Sequence, residues 1–286
     1  MSVVGVAGAG LMGSGIAQAV ATAGRQVVLY EPTQSPLERS RAALGESLER
    51  AIARGRLGAG EASATLARIG YTTDLGELGG ADVLIEAVVE DRTVKRELFS
   101  RLDAAAPDAS FLASNTSSIP IGELAAATTR PQRVLGLHFF SPVPLMALVE
   151  IVVALETAPA TIAAAEAFAQ EIGKQAIRAK DRAGFVVNML LVPYLISAVR
   201  MYEQGFAAPG DIDAGMTLGC GHPMGPLTLC DFIGLDVIAA ICDSLYQEFR
   251  QPEYAQPPLL ARMVAAGQLG RKSGRGFYDY TPEGPA

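Results

Sequence analysis

The chain has only two imidazoles, His138 and His222. Histidine is the side chain that titrates near neutrality, which suits it to general acid–base work. His138 ends an apolar run in LGLHFFSPVP, and Glu150 sits inside another, LVEIVV. A carboxylate in that setting is costly to bury unpaired. It can accept from one imidazole nitrogen, fix the tautomer and raise the basicity of the other nitrogen. The same residues also read as a core histidine with its hydrogen bonds satisfied and a surface acid at a strand end. His222, in CGHPMGPL, precedes a proline in a glycine-rich turn and reads as a turn cap. The polar quintet Ser114-Asn115-Thr116-Ser117-Ser118 either caps a following helix or binds substrate. Cys220, Cys230 and Cys242 show no metal-ligand spacing with His222, so buried free thiols and no metal are expected.

A second constellation is Gly8-Ala9-Gly10-Leu11-Met12-Gly13, a G-x-G-x-x-G between a short apolar run and a helical pattern. In that context each glycine has a task. Gly8 permits the tight turn, Gly10 admits a pyrophosphate, and Gly13 lets helix and strand approach closely. The helix N-terminus supplies free N–H groups for phosphate. Glu31 ends the next apolar run, where a carboxylate accepts from ribose hydroxyls and repels a 2′-phosphate, so NAD is the expected cofactor. A tight strand–helix turn without ligand is the plainer alternative.

These residues need a frame. Strand-like runs fall at residues 3–6, 27–30, 83–88, 111–113, 134–138 and 148–153, with helix-like stretches at 11–23, 36–53 and 93–105. That alternation predicts an α/β fold, a Rossmann-type doubly wound, mostly parallel sheet. Beyond residue 182 helical periodicity takes over, at 186–204, 211–218, 228–249 and 258–267, followed by an irregular tail from residue 273. The expected division is a dinucleotide-binding domain over residues 1–183 and an all-helical domain over 184–286. The formal net charge of −7 argues against bulk nucleic-acid binding. The longest apolar stretch, residues 189–199, is shorter than the roughly 20 residues of a membrane span. MSVVGVAGAG lacks a basic start and runs into glycines, so no signal peptide is expected. Unpaired thiols fit a reducing cytoplasm.

At this point GAGLMGSGIAQ, IEAVVED, SNTSSIPI, HFFSPVPLMALVE, GFVVNMLLVPYL, HPMGPLTLCDFIGLD and LGRKSGRGFYDY converge. Together, and in this order, they resemble the short-chain L-3-hydroxyacyl-CoA dehydrogenase family, which includes the 3-hydroxybutyryl-CoA dehydrogenases. The resemblance covers nearly the whole chain. It implies that His138 is the catalytic base and Glu150 its orienting carboxylate. It also implies that Ser117 and Asn188 hold the substrate. Gly8, Gly10, Leu11, Met12 and Gly13, with Glu31, Glu90, Lys95 and Asn115, become cofactor-contacting positions. For Glu90 and Lys95 an exposed ion pair at a helix start is the alternative.

Relatives bind coenzyme A partly through the helical arm after the second strand, here residues 34–57. Ser47, Arg50 and Arg54 share one helix face there. Five arginines and three acids fall between Glu38 and Arg56, as an anionic carrier requires. A solvated face held by pairs such as Glu46–Arg50 is the alternative.

The implied reaction is (S)-3-hydroxyacyl thioester + NAD⁺ ⇌ 3-oxoacyl thioester + NADH + H⁺, in a homodimer that binds neither nucleic acid nor membrane. The chain departs from the family pattern at Ser141, Ala147 and Gly221, where asparagine, lysine and asparagine are usual. The first two lie on the substrate side, Ser141 itself being a candidate substrate contact. They admit a hydroxyacyl group on an acyl carrier protein, such as a glyceryl unit, as an alternative substrate. A non-catalytic NAD-binding relative and a free-acid dehydrogenase are further alternatives, though the latter would not need HFFSPVP and HPMGP.

Overall fold

The computed structural model describes residues 3–281; Met1, Ser2 and the tail from residue 282 onward lie outside the described residues. The chain separates into two compact units between Arg182 and Ala183. The first holds β1 (Val3–Ala7), α1 (Leu11–Thr22), β2 (Gln26–Tyr30), α2 (Gln34–Ala53), α3 (Ala59–Ala67), β3 (Ile69–Thr72), β4 (Val83–Glu86) and α4 (Arg92–Ala105). It continues through β5 (Phe111–Ser114), α5 (Ile121–Ala125), β6 (Val134–Phe139), β7 (Leu148–Val153), α6 (Pro159–Glu171) and β8 (Gln175–Lys180).

The strands form one sheet in the order β3-β2-β1-β4-β5-β6-β7-β8. Neighbours run parallel except β6 and β7. Central strands of a sheet covered on both faces are near-continuously apolar, and β4, β5 and β6 are buried at every residue, Glu86, Ser114 and His138 being their polar members. Val4, Val6, Ile16, Val20, Leu29, Leu135, Leu137 and Ile151 belong to one core, each worth about 1.5–3 kcal/mol when fully buried. Strand order reverses between β1 and β4, and ligand crevices of such sheets open at the carboxyl ends beside that switch.

The second unit is helical: α7 (Val187–Glu203), α8 (Pro209–Cys220), α9 (Pro226–Ile233), α10 (Leu235–Phe249) and α11 (Pro258–Ala265). It has its own core, including Val192, Leu195, Leu227, Ile238, Leu245 and Leu260.

Several elements differ from the sequence expectation. The stretch read as one helix over 228–249 is two, because Gly234 at φ +105° interrupts it. The strand expected over 83–88 ends at Glu86, and Glu31 lies just past the end of β2. Strands β3 and β8 sit at the sheet's two edges and carry no continuous apolar run; β8 reads QAIRAK, with Gln175, Arg178 and Lys180 exposed. The described part of the tail is pinned rather than loose. Asp231 accepts from Phe277 N–H at 2.9 Å and Tyr278 N–H at 3.0 Å. No described helix is long and apolar enough to cross a membrane.

Candidate active site

The antiparallel step from β6 to β7 explains how two residues twelve apart become neighbours. In that ladder His138 lies directly opposite Glu150. His138 Nδ1 stands 2.7 Å from Glu150 Oε2, and Glu150 is fully buried. An ionised carboxylate only accepts, so Nδ1 carries the proton. The other nitrogen, Nε2, stands 2.9 Å from Ser117 Oγ and accepts from that hydroxyl. Phe140 meets the imidazole edge-on, 4.7 Å between ring centres. One nitrogen is thus fixed by an acid, while the other faces a hydroxyl that a substrate oxygen can replace.

Ser117 owes its place to a second set of charges. Asp91 caps α4 by accepting from Val94 N–H at 2.9 Å, which sets Lys95 in the helix's first turn. The Lys95 side chain is 1% exposed, with its ammonium 2.7 Å from Glu86 Oε1 and 3.1 Å from Glu90 Oε2. Glu86 also accepts from Val88 N–H at 2.7 Å and from Ser114 Oγ at 2.6 Å. Glu90 Oε1 gathers the loop after β5: the Thr116 hydroxyl, Ser117 N–H at 3.1 Å, Ser118 N–H at 3.2 Å and Ser118 Oγ at 2.8 Å. Burial alone would raise the Glu90 carboxyl; the Lys95 ammonium and the Thr116 and Ser118 hydroxyls outweigh it and hold the group below its ordinary value. The exposed helix-start ion pair considered for these residues is therefore corrected in part: Glu90 reaches solvent, whereas Lys95 is buried. Removing one partner of a buried ion pair costs about 3–5 kcal/mol.

The glycine loop has the shape a dinucleotide needs. Gly8 adopts φ +112°, and a Cβ there would strike the Ala87 backbone. A Cβ on Gly13 would strike the Gly8 carbonyl, so helix and strand meet only through glycine. A Cβ on Gly10 would meet nothing, leaving open space beside the amino end of α1. Leu11 projects into solvent at 79% exposure, and Met12 packs against the core. Glu31 Oε2 accepts from Ala9 N–H at 3.1 Å, which puts a carboxylate at the loop itself. An open phosphate cradle beside a ribose-accepting acid fits NAD. Asn115 directs its carbonyl to Phe139 N–H at 2.9 Å, which leaves its Nδ2 donors for a ligand.

Other candidates lie apart. Ser47 is half-buried on α2, and Arg50 is exposed and pairs with Glu46 at 3.4 Å. Arg54 is the exposed C-cap residue just past the α2 helix. A cavity of about 400 Å³ beside α2 is lined by Leu48, Ala51, Arg56, Leu57 and Leu145, with Lys174. That lining uses a different stripe of α2 from Ser47, Arg50 and Arg54. Ser141 is exposed between β6 and β7. Asn188 is buried in the first turn of α7 in the second unit. His222, also there, has Nδ1 3.1 Å from the Tyr194 hydroxyl. Among the described residues no group of three His, Cys, Asp or Glu could hold a metal ion.

Sequence reasoning missed Glu86 and Asp181. An acid ending the apolar run VLIE was the available signal for Glu86. Asp181 accepts from Ile121 and Gly122 N–H, both at 2.8 Å, and so caps α5, a task considered for the serines of the quintet.

Fold and site together define a dinucleotide-binding protein of the Rossmann class with an acid–imidazole–hydroxyl line at its strand ends. Residues 3–182 match the 3-hydroxyacyl-CoA dehydrogenase NAD binding domain, and residues 184–280 match the C-terminal domain of the same family. The chain is 54% identical to a 3-hydroxybutyryl-CoA dehydrogenase of Mycobacterium tuberculosis, over 97% of this chain and 98% of that one. It is 45% identical to the mitochondrial hydroxyacyl-coenzyme A dehydrogenase of Sus scrofa, over 97% and 90%. The crystal structure of M. tuberculosis FadB2 superposes with a TM-score of 0.96 at 54% identity, covering 97% and 98%. That of the (S)-3-hydroxybutyryl-CoA dehydrogenase PaaH1 of Ralstonia eutropha gives 0.93 at 44%, covering 99% and 100%. The chain belongs to the 3-hydroxyacyl-CoA dehydrogenase family, and its first unit is that family's NAD binding domain.

Proposed function

We propose that this chain interconverts (S)-3-hydroxyacyl and 3-oxoacyl thioesters with NAD, 3-hydroxybutyryl-CoA being the first substrate to test. The observation that carries this is the hydrogen-bonded line Glu150–His138–Ser117, with 2.7 Å and 2.9 Å links, beside a dinucleotide loop. The backbone of Gly8, Gly10, Leu11, Met12 and Gly13 would hold the pyrophosphate of NAD, and Glu31 would accept from its adenosine ribose. NAD, when bound, supplies the ring carbon that takes a hydride from substrate C3. His138 Nε2 takes the C3 hydroxyl proton, and Glu150 offsets the charge that then forms on the imidazole. Ser117 turns its hydroxyl from Nε2 to the substrate oxygen. In reverse, protonated His138 returns the proton.

The arginine-bearing α2 arm, with Ser47, Arg50 and Arg54, receives the anionic carrier, and Ser141 lies toward the acyl group. Exposed Leu190, Phe206 and Leu218 in the helical unit suit contact with a second copy of the chain. Three free thiols fit a cytoplasmic enzyme.

NADH formation on (S)-3-hydroxybutyryl-CoA and on a carrier-protein-bound hydroxyacyl group, assayed side by side, tests the proposal. Faster turnover of the CoA thioester is expected, and none on either substrate overturns it. His138→Gln should keep NADH affinity and lose roughly 10²–10⁴-fold in kcat.

A further inference from the structure

Lys95 and Glu86 form a closed buried pair, yet Lys95 has a second partner that reaches solvent. The Glu90 side chain is 41% exposed, and one of its oxygens meets the ammonium. Its other oxygen accepts donors from residues 116–118 alone among its hydrogen bonds, and Ser117 in turn reaches His138. An exposed carboxylate is otherwise free to rotate; a charge-assisted bond to a buried, immobile ammonium fixes it. We infer that Glu86, Lys95 and Glu90 are positioning residues: the buried ammonium holds Glu90 as the acceptor that sets the Ser117 hydroxyl on His138 Nε2.

This rests on the dehydrogenase proposal and assigns Lys95 to the loop rather than to direct cofactor contact. The charged groups around Glu90 are Lys95 on α4 and, behind it, Glu86 on β4. Asp91 is turned to Val94 N–H, and His138 on β6 meets the loop through Ser117 Oγ. Without the ammonium, burial weighs more heavily against the charged Glu90 carboxylate, and a protonated carboxyl no longer holds its donors together. Activity is then lost as pH falls through the raised Glu90 value, in a range where the wild type keeps its rate.

The experiment compares wild type, Lys95→Met, Lys95→Arg and the double variant Lys95→Met/Glu86→Gln. The double variant removes the buried pair as a neutral unit and carries the test if Lys95→Met fails to fold. Rates are read against pH at saturating NAD and (S)-3-hydroxybutyryl-CoA, NADH affinity by fluorescence, and the His138 Nε2 resonance by nitrogen NMR. Lys95→Met should lower kcat by about 10–100-fold, as expected of a misplaced catalytic group, with NADH affinity little changed. Its acid limb should move to higher pH. The double variant also lacks the ammonium and should show the same fall in kcat and the same move of the acid limb. Lys95→Arg should recover part of the rate, and the Nε2 resonance should shift in Lys95→Met and in the double variant. A wild-type pH profile in Lys95→Met (or in the double variant where Lys95→Met does not fold), or a loss confined to NADH affinity, overturns the inference. An inactive wild type would overturn the dehydrogenase proposal instead, and the Nε2 resonance would still decide whether Lys95 sets the Ser117 contact.

Discussion

Glu150 and Asp231 are carboxylates with almost no exposure to solvent, one in each unit, and they are held in opposite ways. Asp231 accepts from the backbone of Phe277 and Tyr278, and nearby Asp213 accepts from Leu227 and Thr228 N–H, the Thr228 hydroxyl and the Tyr278 hydroxyl. Those donors belong to the fold itself and pin a tail to a helix. Glu150 is bonded to a titratable ring whose far nitrogen meets a hydroxyl on a separate loop. Burial alone therefore does not tell the two acids apart; the partner does. A carboxylate on an imidazole can follow a proton through a reaction, whereas one on backbone amides can only resist losing them.

The contrast breaks most visibly at Glu150. Glu150→Gln should lower kcat by roughly 10²–10⁴-fold, because an amide can turn its N–H₂ toward Nδ1 and favour the wrong tautomer. Steady-state NADH production reads this, and a folded variant with native kcat would make Glu150 merely structural.

Asp231→Asn should act on stability instead. Losing one of two accepted amides costs about 1–3 kcal/mol, with kcat per folded molecule unchanged. Thermal unfolding measures it. Burial raises the Asp231 carboxyl above its ordinary value, against the Phe277 and Tyr278 amides and with Asp213 adding to the rise. The folded state then holds the proton more tightly than the unfolded chain, so this group's contribution is greatest at low pH. It is lost as pH rises through the raised value. The stability gap between wild type and Asp231→Asn should shrink over that rise; a gap that widened would contradict the assignment.

The smallest effect falls on the cofactor. Glu31→Ala removes the acceptor at the loop and should weaken NAD binding by about 10-fold, the worth of one charge-assisted hydrogen bond. Discrimination against NADP should relax with it. Titration with both cofactors checks this, and unchanged affinities would remove Glu31 from the site.

What the sequence made legible follows the same physics. The glycine loop and the apolar strands were readable because each carries a local pattern. His138 and Glu150 stood out as polar residues inside apolar runs, though only the antiparallel register brings them together. The edge strands β3 and β8 were not readable, since one open edge relaxes the demand for apolar residues. The break at Gly234 was hidden because apolar periodicity continues across it. Glu86 showed only as an acid ending VLIE; the burial of Lys95 was hidden because a charge pair leaves no period, and its meaning depends on β4, β5 and α4 converging. Asp181 capping α5 is likewise a long-range event.

The central claim is that the imidazole and its acid work as one unit, and a double-variant cycle measures that coupling most directly. With kcat read at saturating NAD and (S)-3-hydroxybutyryl-CoA, His138→Gln/Glu150→Gln should be no slower than His138→Gln alone, since an acid without its ring has nothing left to orient. Losses that multiply, each variant subtracting its own independent share, would show that Glu150 acts apart from His138 and would contradict the account.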